Sequence, residues 1–224
     1  MTANEVEATE ETARAIEAHA ERIASAVYAR VYTDPFWDAR FGKRGHYHTE
    51  RDGNYHLSYL AQAVRARSAR VMAEYALWAR GMLVPRGMCS NHLAENFGMI
   101  RDALAEHRIA GHAGSILDSA ARALDYEDGA AGAIARAAAA VAAALDDPAV
   151  PLASSRDWRQ HLSYLADAVA AKRPELFADY LGFLDRWQSA APPSAAIRSR
   201  LSAALADRLA PDARDEVQRY VVAA

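Results

Sequence analysis

Residues 51–75 read RDGNYHLSYLAQAVRARSARVMAEY, and residues 156–180 read RDWRQHLSYLADAVAAKRPELFADY. At an offset of 105 the two stretches agree at thirteen of twenty-five positions. Arg51-Asp52 matches Arg156-Asp157, and the unbroken run His56–Ala61 matches His161–Ala166. Ala63, Val64, Ala66, Ala73 and Tyr75 then match Ala168, Val169, Ala171, Ala178 and Tyr180. Self-similarity at a fixed offset is the first thing to look for in a chain, because it sets how the fold is divided. It predicts two related helical units, residues 1–118 and 119–224, packed about a pseudo-twofold axis around a shared core.

Outward from this repeat the whole chain reads as helix. Alanine, the best helix former, is abundant, β-branched residues are sparse, and glycine and proline fall in a few clusters. Ile16, Ile23, Val27 and Val31 recur at helical spacing and predict a first helix over 4–33, ended at Asp34-Pro35. Residues 36–48 read as a loop of aromatics and bases, with a second helix starting after Thr49 and running to Arg67. Further helices are expected over 70–83, from an N-cap at Ser90 to 107, and over 111–123, 127–145, 155–171, 174–189, 194–209 and 212–222. Pro85-Arg86-Gly87 is a turn and Pro192-Pro193 a chain break. The expected fold is all-α, a globin-like helical bundle with additional helices.

With 224 residues, 52% of them hydrophobic and 25% charged, the chain can bury a sizeable core without a disulfide or metal staple. Cys89 is the only cysteine, so no intramolecular disulfide forms. Together with the lack of a secretory leader pattern, this predicts a cytoplasmic protein. A net charge of −3 argues against nucleic-acid binding driven by bulk charge. No apolar stretch is long enough to span a bilayer. A nucleophile elbow, a phosphate loop and a dinucleotide fingerprint are all missing, so an enzyme reading has no residues to rest on.

The repeated polar residues are the candidates for chemistry. Thr49-x-x-Asp52 and Ser154-x-x-Asp157 both fit a capping box, in which hydroxyl and carboxylate satisfy orphan backbone N–H groups. His56 and His161 lie one turn later, and Tyr59 and Tyr164 three residues further. Asp-x-x-x-His can also place a carboxylate and an imidazole on one metal, so Asp52, His56, Asp157 and His161 form an alternative two-metal reading. The two copies differ in their surroundings. Lys43, Arg44, His46, His48 and Tyr55 gather around the first motif, whereas His46, His48 and Tyr55 become Pro151, Ala153 and Gln160 in the second. A basic, aromatic segment beside a histidine suits a flat anionic ligand, with cations for its carboxylates and aromatics for its rings. Cys89 lies at a turn entering a helix with His92 nearby, both of which lower a thiol's pKa and would suit covalent attachment of a ligand.

A further pattern spans residues 36–107. It reads Phe41-Gly42-Lys43-Arg44-Gly45, Glu50-Arg51-Asp52, Tyr55–Ala61, Ala73-Glu74-Tyr75-Ala76-Leu77-Trp78, Arg86-Gly87 and His92-Leu93-Ala94-Glu95-Asn96. The second copy keeps Leu176-Phe177-Ala178-Asp179-Tyr180. The pattern resembles the bilin-binding part of the photocobilins, photoreceptors that pair vitamin B12 with biliverdin. The resemblance covers about a third of the chain, or half with the repeat. The Asp-x-His-x-x-Gly element of B12 domains is missing, so the resemblance implies a module without cobalamin. It would signal through a partner protein or a homodimer.

What the resemblance implies is a globin-like fold holding an open-chain tetrapyrrole. Lys43, Arg44, His46 and His48 would meet the propionates. Asp52, Tyr55, His56 and Tyr59 would face the pyrrole nitrogens and rings, and Cys89, beside His92, would offer an attachment point. The expected function is thus a biliverdin-binding photosensory or bilin-carrier protein, with haem bound through His56 as the nearest variant. The alternatives are the helical metalloprotein and a ligand-free helical regulatory module.

Overall fold

The computed structural model describes residues 3–109, 111–188 and 193–224. Among them are ten α-helices, one short 3-10 turn and no strand. They are α1 (Ala3–Val31), α2 (Pro35–Arg65), α3 (Ala69–Leu83), α4 (Ser90–Glu106), α5 (Ala113–Ala123), α6 (Gly129–Leu145), α7 (Ser155–Ala171), α8 (Pro174–Trp187), α9 (Pro193–Ala206) and α10 (Pro211–Ala223). The 3-10 turn, Val84–Arg86, closes on Gly87 in the left-handed region. The break expected at Pro192 lies outside the described residues. The chain divides into two compact units: Met1–Ala79 with Leu93–Leu124, and Arg80–His92 with Asp125–Ala224.

The first unit is built on α1 packed along α2. Ile16, Ile23, Val27 and Val31 are buried on α1, as are Leu57, Leu60, Ala61 and Val64 on α2. Each of the Ile, Leu and Val side chains among them contributes about 1.5–3 kcal/mol on leaving water. Gly53 lets the two helices approach closely, since a Cβ there would lie 3.1 Å from the Ala24 methyl. Arg65 clamps the far end by pairing with both Glu10 and Glu17.

Residues 36–48 are helical, which corrects the loop expected there. Asp34 caps Phe36 N–H, and Pro35 starts α2 with its φ already set. One residue breaks the run: Gly42, at φ 53° and ψ −154°, kinks the helix in a conformation reserved for glycine. The aromatics that disguised the segment are partly core, with Phe36 and Trp37 buried. Thr49 and Asp52 therefore sit in mid-helix and form no capping box. In the second unit, by contrast, Ser154 and Asp157 do form the box at the start of α7.

The second unit is centred on α7, which packs on α6 and α8 and is closed by α9 and α10. Trp158, Leu165, Phe177, Tyr180 and Leu184 are among its fully or almost fully buried side chains. The connection 146–154 folds back before α7, with Leu152 at φ +59°.

Candidate functional site

The polar residues singled out in the sequence fall into two separate groups. Lys43, Arg44, His46, His48, Asp52, Tyr55, His56 and Tyr59 all lie on α2 of the first unit. Cys89, His92, Asp157 and His161 lie in the second.

Because α2 is continuous from Lys43 onward, it presents Lys43, Tyr47, Arg51, Tyr55 and Tyr59, one every fourth residue, along a single surface ridge. All five are exposed; Tyr47 is 63%, Tyr55 53% and Tyr59 38% accessible. The Arg51 guanidinium lies 5.6 Å from the Tyr47 ring and 5.8 Å from the Tyr55 ring, a cation held between two aromatic faces. At the end of the ridge Tyr59 stacks on Tyr75 of α3, with centroids 4.1 Å apart and planes 19° apart. Trp78, 60% exposed, continues the aromatic surface 5.9 Å beyond Tyr75.

Beneath this surface His56 is buried. Its Nδ1 lies 2.8 Å from the Tyr75 hydroxyl, and its ring meets Phe97 edge-on. Burial lowers the His56 pKa to about 4, opposed by the Asp52 carboxylate one turn earlier. The imidazole is neutral at physiological pH. Neither His56 Nε2 nor the Tyr59 hydroxyl has a hydrogen-bond partner among the described residues.

The other candidates on α2 have more settled positions. His46 stacks on Tyr32 of α1 at 3.7 Å, with one ring nitrogen 2.7 Å from the Tyr28 hydroxyl and the other 3.0 Å from Asp38. It is a packing residue whose edges are both in use. His48 lies 3.2 Å from Arg51, and Arg51 pairs with Asp52. Lys43 and Arg44 are exposed.

No family model matches the chain, and no match emerged among curated proteins or solved structures.

The second unit holds the same cluster in a different setting. His161 Nδ1 lies 2.8 Å from the Tyr180 hydroxyl, and Tyr164 stacks on Tyr180 at 3.7 Å and 12°. Here, however, His161 Nε2 donates to the Leu152 carbonyl at 2.9 Å, and the Tyr164 hydroxyl donates to the Gly87 carbonyl at 2.8 Å. Tyr164 is 3% exposed. Burial lowers His161 to about 4 as well.

The stretch that supplies Gly87 is pinned by Asp167 of α7. Its buried carboxylate accepts from Ser90 N–H (2.7 Å), the Ser90 hydroxyl (2.6 Å) and the Tyr126 hydroxyl (2.7 Å). Desolvation raises the Asp167 pKa, and these bonds oppose the rise. The Ser90 hydroxyl thus donates across to α7 instead of capping its own helix.

Cys89 is corrected by this setting. It is buried, and desolvation, reinforced by the Asp167 charge, pushes its thiol far up. The helix N-terminus and His92 do not outweigh that loss of solvent, so the sulfur stays a protonated thiol and a poor nucleophile. His92 is buried with its ring edge-on to Tyr164.

Among the described residues no group of three or more His, Cys, Asp or Glu side chains is placed to hold a metal. His161 has both nitrogens engaged, Asp157 is spent in the capping box and Asp52 in its pair with Arg51. No helix is long and apolar enough to cross a membrane. A cleft of about 290 Å³ in the second unit, between Gly87, Tyr164 and Asp167, falls just below the roughly 300–1,000 Å³ of small-molecule sites.

Sequence reasoning noted Tyr47, Arg51 and Trp78 but did not place them in the site. The spacing of four from Lys43 to Tyr59 was available, but reading 36–48 as a loop cut the ridge in half.

Proposed function

We propose that the first unit binds an open-chain tetrapyrrole of the biliverdin type along the ridge of α2 and the adjoining face of α3. The observation that carries this reading is the alternation of cations and exposed aromatics, Lys43-Tyr47-Arg51-Tyr55-Tyr59, ending on the Tyr59–Tyr75–Trp78 surface. An extended conjugated ligand with two carboxylates needs both parts. Aromatic faces cover its rings, and Lys43, Arg44 and Arg51 balance its propionates. The site is an open face rather than an enclosed chamber, so the ligand keeps one side toward solvent or toward a partner. The resemblance to the bilin-binding part of the photocobilins leads to the same ligand class. In this reading the chain is a globin-like pair of related units, the first carrying pigment and the second a closed structural copy. Its role is photosensory or bilin-carrying, with the signal passed to a partner or a second copy.

The test is an absorption spectrum of the protein purified from cells that make biliverdin. A red-shifted visible band at near-stoichiometric occupancy is expected, and it should weaken in Arg51→Ala. The pigment should leave on denaturation, since Cys89 is buried as a protonated thiol. A sharp Soret band would move the assignment to haem, with His56 Nε2 as iron ligand. A colourless protein from biliverdin- and haem-supplied cells would overturn the tetrapyrrole reading in favour of a regulatory module that docks partners on the same face.

A further inference from the structure

The second unit repeats the first unit's cluster with its outward-facing donors bonded to the chain's own carbonyls. His161, Tyr164 and Tyr180 repeat His56, Tyr59 and Tyr75 at the offset of 105, with the same 2.8 Å imidazole–phenol bond and the same stacked pair. In the second unit two donors leave this cluster, and both end on carbonyl oxygens: His161 Nε2–H on Leu152 and the Tyr164 hydroxyl on Gly87. The acceptor at Nε2 also fixes the tautomer. With the proton on Nε2, Nδ1 accepts from the tyrosine hydroxyl.

In the first unit the corresponding groups, His56 Nε2 and the Tyr59 hydroxyl, have no such acceptors among the described residues. The reason lies in the backbone. Leu152 belongs to a connection that folds back over His161, whereas its counterpart at the same offset, Tyr47, lies inside the continuous helix α2. Peptide carbonyls therefore do not close this cluster.

We infer that Tyr59 Oη and His56 Nε2 are the two hydrogen-bond donors that read carbonyl oxygens on the bound ligand. This rests on the tetrapyrrole reading and sharpens it. An open-chain tetrapyrrole carries terminal lactam carbonyls that can accept both bonds. Haem has no ring carbonyl and would instead take Nε2 as an iron ligand, which needs that nitrogen unprotonated. The pair of donors thus selects the open-chain over the macrocyclic ligand. With the Tyr75 hydroxyl donating to Nδ1, as the Tyr180 hydroxyl does to His161, the neutral His56 ring carries its single proton on Nε2 and donates without adding charge.

The experiment titrates the full chain with biliverdin and records affinity together with the carbonyl-stretch region of the bound pigment's vibrational spectrum. Tyr59→Phe keeps the stacked ring and removes only an exposed hydroxyl, so it leaves the fold intact. Its affinity should fall about tenfold, the equivalent of one hydrogen bond of about 1.4 kcal/mol, with a lactam carbonyl band shifted to higher frequency. His56→Gln, which retains an N–H donor, should bind biliverdin better than His56→Ala. Tyr164→Phe should leave both readouts unchanged. Wild-type affinity and an unshifted carbonyl band in Tyr59→Phe would overturn this inference while leaving bilin binding in place. Failure of the wild-type chain to bind biliverdin at all would overturn the underlying reading along with it.

Discussion

The two histidine–tyrosine clusters differ in closure far more than in internal geometry. Around Tyr180, a returning loop and the Gly87 turn supply carbonyls to His161 and Tyr164, and the aromatic rings disappear from solvent. Around Tyr75, the same imidazole–phenol bond and ring stack sit under an open surface bordered by Tyr55, Arg51 and Trp78. One motif thus serves as core in one unit and as the floor of an exposed face in the other. What separates them is the path of the preceding backbone: a loop at 146–154, an unbroken helix at 43–49. A motif of this kind says what it can bond to, and its neighbours decide whether the chain itself provides the partner.

The largest expected break in the comparison is Asp167→Ala. It removes the carboxylate that holds the Gly87 turn in place and takes the acceptor from two buried Ser90 donors and the part-buried Tyr126 hydroxyl, at a cost of roughly 4 kcal/mol. Denaturant titration should show this loss, and Tyr164 should become accessible to solvent quenchers as the second cluster opens. An Asp167→Ala chain of wild-type stability would mean that the turn is held by packing alone.

Acid should act on both clusters. His56 and His161 have folded pKa values near 4, below the usual histidine range, because burial penalises the imidazolium. The unfolded chain takes up these protons first. The stabilisation is therefore complete above about pH 6.5 and is lost as pH falls toward 4, by up to about 3 kcal/mol per histidine. Unfolding free energies measured across this window should decline, and His161→Phe should remove about half of the decline. A flat profile between pH 6.5 and 4 would contradict burial of either ring in its neutral form.

A smaller contrast separates the two histidines at neutral pH. His161→Phe loses two hydrogen bonds, to the Tyr180 hydroxyl and the half-buried Leu152 carbonyl, about 2–3 kcal/mol. His56→Phe loses only the bond to Tyr75, about 1 kcal/mol. Equal losses by thermal or chemical denaturation would show that His56 has a second internal partner. The smallest effect belongs to Arg51→Ala. As an exposed residue it should leave stability within about 0.5 kcal/mol while weakening biliverdin binding several-fold. Unchanged affinity would remove the cation from the ligand site.

Much of this was legible in the chain itself. Helical periodicity and Gly/Pro punctuation located nine of the ten helices among the described residues to within a few residues, and the later part of α2, because each carries a buried apolar stripe such as Ile16–Ile23–Val27–Val31. The repeat pointed to His56 and His161 as matched positions. The segment 36–48 was not legible: its aromatics serve two masters, Phe36 and Trp37 the core and Tyr47 the surface, so no single stripe stands out. A left-handed glycine at position 42 reads like a loop even where the helix resumes after it. The burial of Cys89 was equally hidden, since it depends on Asp167, seventy-eight residues away, holding the turn beside it.

The most direct measurement is a ¹⁵N spectrum of the histidine side chains with and without biliverdin. The account predicts that the His56 resonances move, with Nε2 remaining protonated and entering a stronger hydrogen bond, while those of His161 stay where the Leu152 carbonyl has already fixed them. Shifts of equal size at both histidines, or none at His56 in a protein that holds the pigment, would contradict the division into one open and one closed cluster.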